Sequence, residues 1–196
     1  MSLERLILAS KSAARREVLA NAGVAFDIQV AGIDEDALKR PGVDARDLAI
    51  ELAKAKALAV SAQYPDAVVL GADQTLAFEG GLISKAPSLE AAKARLADMR
   101  GKPHQLHSGV ALAKGGKILW ADADTAHMQV RDFSDDFLNA YIDTEGDELL
   151  HCVGSYRLEG MGAQLFDKVD GDYFTVLGMP LWLVLEQLRR FGVLPQ

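Results

Sequence analysis

Ala67-Val68-Val69-Leu70-Gly71-Ala72-Asp73-Gln74 is the stretch that assigns the fold. Four apolar residues in a row, unrelieved by a polar one, read as a strand buried on both faces, the kind found in the middle of a sheet with helices on either side. Upstream, Arg5–Ala9 and Phe26–Val30 read as strands around a helix over Ala13–Ala22. Asp44 to about Tyr64 places Leu48, Leu52, Ala55 and Ala59 at helical spacing, predicting a long amphipathic helix. Downstream, Thr75–Phe78 and Leu82–Ser84 flank the turn signal Glu79-Gly80-Gly81, and Ser88 can cap a helix to about Met99. Leu106–Ala113 and Lys117–Ala126 form a second hairpin about Lys114-Gly115-Gly116. Ser134 then opens a helix carrying Phe137, Leu138, Tyr141 and Ile142. Leu181–Phe191 forms a last helix, burying Leu181, Leu185 and Leu188 and stopping at Gly192. No repeat, low-complexity tract or linker interrupts the pattern. The expectation is one α/β domain over residues 1–196, with a mixed sheet, two lobes and a cleft between them.

A chain of 196 residues, 49% hydrophobic and 25% charged, is long enough for a sizeable core. Its net charge of -7 argues against a general binder of nucleic acid polymers or of anionic membranes, while leaving room for a small anion at a local positive site. The single cysteine, Cys152, cannot close an internal disulfide, which fits a reducing compartment. The late apolar run Val176–Leu185 is about half a membrane span and contains Pro180. The N-terminal apolar run is short, follows Glu4 and has no cleavage-site pattern. A cytoplasmic protein without a membrane partner is expected.

Chemistry concentrates in a few places. Leu6-Ile7-Leu8-Ala9-Ser10-Lys11-Ser12-Ala13-Ala14-Arg15-Arg16 runs from an apolar strand into two hydroxyls and three cations. Ser12 stands where an N-cap would open the following helix, and helix N-termini attract anions, so the turn reads as a phosphate cradle without the glycines of a Walker A loop. Asp73 follows the most strand-like run, where ligands of open α/β sheets gather, and could orient water, take its proton or hold a metal. Taken alone, it reads first as a turn aspartate. Asp34-Glu35-Asp36 would suit a hard cation such as Mg²⁺ shared with phosphate, or be a solvated turn. Lys54 and Lys56 lie two apart on a helix, so at most one can serve a given site. Lys85 precedes Ala86-Pro87, an exit of fixed conformation. Gly154-Ser155-Tyr156-Arg157-Leu158-Glu159-Gly160-Met161-Gly162 allows close backbone approach and carries Glu159, an acid able to read a base edge. His104, His107, His127 and His151 have no metal-ligand spacing.

Ser10-x-Ser12-x-x-Arg15-Arg16, Asp34-Glu35, Leu52-Ala53-x-x-Lys56-Ala57, Gly71-Ala72-Asp73-Gln74 and Lys85 occur in the order and approximate spacing of the Maf family. Gly154-Ser155-x-x-x-Glu159-Gly160-x-Gly162 and Gly178-x-Pro180-Leu181 extend the likeness over almost the whole chain. The chain thus resembles nucleoside triphosphate pyrophosphatases related to the inosine triphosphate pyrophosphatase superfamily. The resemblance implies a twisted mixed sheet flanked by helices, with a deep cleft between two lobes. It implies metal-dependent hydrolysis (Mg²⁺ or Mn²⁺) between the α- and β-phosphates of a small-molecule nucleotide. Asp73 matches the proton acceptor and, with Glu35, the metal site. Ser10, Ser12, Arg15, Arg16, Lys56 and Lys85 match the substrate-binding set. Gln74 and Glu159 look like the branch acting on 7-methyl-GTP, whereas the dTTP/UTP branch typically carries Thr and Gln there. Ala14 replaces the Trp of the 7-methyl-GTP branch, and Ala13 a common Pro, which leaves the base open. A dTTP/UTP enzyme and a non-catalytic nucleotide-binding regulator of septation are the alternatives. A homodimer also stays open, since nothing in the sequence sets an oligomeric state.

Overall fold

The computed structural model describes residues 3–40 and 42–196. Seven strands hydrogen-bond in the order β2-β1-β3-β5-β6-β7, with β4 paired to β3. They are β1 (Leu6–Leu8), β2 (Asp27–Ile28), β3 (Val68–Phe78), β4 (Gly81–Ile83), β5 (Pro103–Lys114), β6 (Lys117–Val130) and β7 (Phe166–Asp170). The sheet is mixed, since β1 runs parallel to β2 and β3 while β4 and β7 pair antiparallel with β3 and β6. The chain divides into two compact units: Met1–Gln74, His107–Asp124 and Asp172–Gln196 in the first, Thr75–Leu106 and Thr125–Gly171 in the second.

In the first unit the strands sort their side chains by parity, as a pleat requires. Leu6, Leu8, Val68, Leu70, Val110 and Leu112 point to one face, where they meet Val18 and Leu19 of α1 (Ala13–Asn21) and Leu181, Val184 and Leu188 of α6 (Leu181–Arg190). Ile7, Ala9, Val69, Ala111 and Ala113 point to the other, where Ala53, Ala57 and Val60 of α2 (Ala45–Ser61) cover them. Burial on both faces explains why Ala67–Leu70 lacks alternation.

The α2 helix is rotated from its expected setting. Leu48 and Leu52 are buried as predicted, but Ala55 and Ala59 are only half-buried, and Ala49, Ala53 and Ala57 take the inner positions. Two glycines of the sheet impose this. A Cβ at Gly71 would lie 2.7 Å from the Ala57 nitrogen, and one at Gly109 would lie 2.7 Å from the Ile50 nitrogen. Backbone therefore meets backbone here, and only small residues on both sides allow it.

β3 also differs from expectation, since it runs unbroken through Gly71–Gln74. Its parallel neighbour stops first. The last β1 pairing is Leu8↔Leu70, and the Ala9 N–H donates to the Leu70 carbonyl at 2.8 Å. Asp73 thus sits within a strand, yet three residues past the end of the parallel pair. β2 is shorter than Phe26–Val30; Ile28 and Val30 are exposed on this edge.

In the second unit Glu79 and Gly80, both at positive φ, turn β3 into β4. Helices α3 (Leu89–Met99) and α4 (Asp135–Glu145) open at Ser88 and Ser134, each capping with its hydroxyl. β7, Phe-Asp-Lys-Val-Asp, was not expected; its three charged residues are exposed, as on an outer strand, and hide the alternation that would announce it.

Candidate active site

The turn from β1 into α1 is built as the sequence suggested. Ser12 is the N-cap, its Oγ accepting the Arg15 N–H at 3.4 Å. Buried Ser10 accepts the Ser12 N–H at 3.3 Å. The two arginines then separate. Arg15 turns inward: its Nε donates to the Gly178 carbonyl at 2.8 Å, and its Nη1 to the Ala72 carbonyl at 2.9 Å and Ser10 Oγ at 3.3 Å. Burial pulls its pKa below the ordinary range, with Asp73 and Glu35 opposing, and the guanidinium stays charged. Gly178, at φ 85°, leaves a Cβ only 3.1 Å from Arg15 Nε, so the glycine makes room for the guanidinium. The Arg16 guanidinium makes no hydrogen bond or ion pair among the described residues, and Arg16 is half-buried beside it; Ala14 is likewise half-buried.

Asp34-Glu35-Asp36 resolves into three roles. Asp34 Oδ1 accepts the N–H groups of Asp36 and Ala37, making the turn. Asp36 is exposed and pairs with Lys39 at 2.8 Å. Glu35 alone faces Lys56, whose Nζ lies 2.9 Å from Glu35 Oε1 and also binds Asp73 Oδ1. Lys56 and Asp73 side chains are each 12% exposed. Lys54 leaves in another direction and pairs with Glu51 at 2.7 Å. Glu35 and Asp73 thus each turn one oxygen to a common point. No group of three His, Cys, Asp or Glu able to hold a metal occurs among the described residues. Two carboxylate oxygens suit Mg²⁺ or Mn²⁺, which complete their shells with water and substrate phosphate, so these donors fit such an ion.

Gln74 points its amide to a cluster that sequence reasoning missed. Its Nε2 donates to Ser108 Oγ at 3.0 Å and to the Thr175 and Val176 carbonyls at 3.2 and 3.0 Å. Ser108 donates to the Thr175 carbonyl at 2.7 Å, and Thr175 Oγ1 to Asp124 at 2.7 Å. These bonds tie β3 to α5 (Tyr173–Val176), whose N-cap is Asp172. An aspartate three residues before a threonine was the available signal.

Lys85 and Glu159 belong to the second unit. Lys85 follows β4, as expected, and Glu159 is exposed on the glycine-rich segment. Arg157 donates to Glu159 at 3.4 Å and to Glu145 at 3.2 Å. Glu145, missed by the sequence reading, is buried and also accepts the Met161 N–H at 2.9 Å. A Cβ at Gly160 would come within 2.6 Å of Glu145 Oε1, so a larger residue here would push that carboxylate aside. The signal for Glu145 was its place in the last helical turn before Gly146, where the helix dipole disfavours an acid. His104, buried beside Phe166, shares a 2.6 Å hydrogen bond with Tyr156, and burial lowers its pKa to about 4.

The family profile described as Maf-like protein matches residues 5–191. A relative named nucleoside triphosphate pyrophosphatase, from Caulobacter vibrioides, is 50% identical over 99% of both chains. One named 7-methyl-GTP pyrophosphatase, from Brucella abortus, is 47% identical over 95% of this chain and 96% of its own. A solved dITP/XTP pyrophosphatase from Mycobacterium abscessus aligns with 97% of this chain and 98% of its own at 13% identity, with a TM-score of 0.44, too low for structural equivalence. The two relatives and the family profile agree over nearly the full length, and this chain belongs to the Maf family.

Proposed function

We propose that this enzyme hydrolyses the α–β phosphoanhydride of a nucleoside triphosphate, with 7-methyl-GTP as preferred substrate and Mg²⁺ or Mn²⁺ as cofactor. The observation that carries the reading is the convergence of Asp73, Glu35 and Lys56 beside the capped, cationic turn at Ser10–Arg16. The names of the Caulobacter and Brucella relatives support the reaction class. The metal, held by Glu35 and Asp73, would neutralise charge on the phosphoryl oxygens. Asp73 Oδ2, which accepts no hydrogen bond from the described residues, takes the proton of the attacking water. Arg16, the α1 N-terminus and Lys56 meet phosphate oxygens, and Lys85 adds a further cation. Arg15 works differently: it holds the Ala72 carbonyl and thereby fixes Asp73, the next residue.

For the base, Glu159 supports guanine. Its carboxylate accepts both the ring N1–H and the exocyclic amine, and methylation at N7 adds positive charge that it favours. Uracil and thymine present a single N–H between two carbonyls, which a carboxylate repels. Ala14 cannot stack on a cationic base, which forfeits roughly 0.5–2 kcal/mol and broadens the preference. Gln74 contributes through the Ser108–Thr175 cluster, its amide being spent on backbone carbonyls. The test is pyrophosphate release from 7-methyl-GTP, GTP, UTP and dTTP. The expected order places 7-methyl-GTP first, and Glu159→Gln shifts it toward the pyrimidines. A parent that prefers UTP or dTTP, or an unchanged ranking in the variant, refutes the base assignment. Asp73→Asn in the same assay should lose about 10²–10⁴-fold in turnover.

A further inference from the structure

We infer that Lys56 is an internal counter-cation, which holds the Glu35–Asp73 pair against metal until a triphosphate draws its ammonium away. The inference rests on the proposed reading of Glu35 and Asp73 as metal ligands. Its basis is where the ammonium lies. Lys56 Nζ bonds to Asp73 Oδ1 and sits 2.9 Å from Glu35 Oε1, so one cation already occupies the point both oxygens share. The lysine side chain is 12% exposed, leaving solvent little part in holding it there. Lys54, on the same helix, shows the ordinary alternative of a pair with Glu51, two-thirds shielded at the lysine and open at the acid.

The charges explain why such a device is useful. Two carboxylates turned to one point repel each other unless a cation stands between them. Lys56 supplies that cation, keeping both acids aimed at one point while no nucleotide is present. A divalent ion cannot share the same two oxygens with an ammonium, because the cations would repel at close range. Metal entry therefore requires Lys56 to leave, and a triphosphate is the partner that can receive three ammonium donors. Metal and nucleotide then bind cooperatively, each removing an obstacle to the other.

The experiment measures Mn²⁺ binding to the nucleotide-free protein by electron paramagnetic resonance, in the parent, Lys56→Met, Lys56→Arg and Lys54→Met. Removing the charge at position 56 should tighten Mn²⁺ binding at least about tenfold, since the site no longer holds a competing cation. Lys56→Arg, which keeps the charge, and Lys54→Met should stay near the parent. Adding Glu35→Gln to Lys56→Met should abolish the gain, which locates the ion at the pair. An affinity in folded Lys56→Met equal to or weaker than the parent's overturns the inference. A second measurement needs no variant: inorganic tripolyphosphate, without metal, should shift the Lys56 ammonium resonances of the parent, and an unmoved signal overturns the inference as well. Neither readout involves turnover. Loss of pyrophosphate release would refute the proposed function while leaving the Mn²⁺ comparison intact.

Discussion

Arg15 and Arg16 show how adjacent residues of one type acquire different work. A helix advances about 100° per residue, so neighbours cannot share a direction. Arg15 spends its Nε and Nη1 donors on Gly178, Ala72 and Ser10, whereas Arg16 keeps its guanidinium unpaired among the described residues. Arg15→Ala leaves the Gly178 and Ala72 carbonyls without their charged donor, and a hydrogen bond to a charged group contributes about 1.5–3 kcal/mol. The melting temperature should fall by roughly 5–10 °C in a protein of this size. Arg16→Ala should leave melting almost unchanged while lowering kcat/KM for a triphosphate about 10–100-fold, the loss of one charge-assisted phosphate contact. Calorimetry and kinetics on the two variants check this. A destabilised Arg16→Ala with normal kinetics would exchange the two roles.

Between elements, the decisive contact is α2 against β3 and β5. At Gly109 an added Cβ would meet the Ala49 carbonyl carbon and oxygen, and at Gly71 the Ala53 oxygen and Ala57 nitrogen. These neighbours are backbone, so neither site yields by turning a side chain. Gly109→Ala should cost about 1–3 kcal/mol or more through overpacking, seen as a lower denaturation midpoint. It should also reduce turnover, because α2 carries Lys56. A fully stable Gly109→Ala would show that α2 can slide. The same contact marks the limit of what the sequence discloses. Ser12, Ser88 and Ser134 announced their helices because a cap is local chemistry. The apolar run at Ala67–Leu70 disclosed a central strand because burial on both faces removes alternation. The inward face of α2 was misread because Ala offers little amphipathic contrast, and its setting is dictated by glycines 18 and 56 residues beyond Ala53, at Gly71 and Gly109. Asp73, Lys56 and Glu35 were visible as residue types in a recurring order; that Lys56 bridges the two acids was not, since three segments far apart in sequence create that point.

At the scale of the whole molecule, stability and catalysis draw on different resources. Each unit has its own buried apolar residues, such as Leu8, Leu70 and Val110 in the first and Leu96, Met128 and Tyr141 in the second. Among the described residues no helix is long and apolar enough to cross a membrane, and no His, Cys, Asp or Glu group of three could hold a metal. Cys152 is the only cysteine, its thiol pushed up to about 11 by burial, so no disulfide staples the chain. The fold therefore depends on packing, while the proposed ion depends on two carboxylates and the substrate. A structural metal would behave otherwise, because its binding free energy is folding free energy and a chelator would unfold the protein. Excess EDTA should accordingly abolish pyrophosphate release and leave the melting temperature within about 1 °C of its starting value. Activity should return on adding Mg²⁺ or Mn²⁺ without any refolding step. Monitoring turnover and circular dichroism on one sample separates the outcomes. Full activity in EDTA would remove the ion from the reaction, and joint loss of activity and fold would mean that metal holds the protein together.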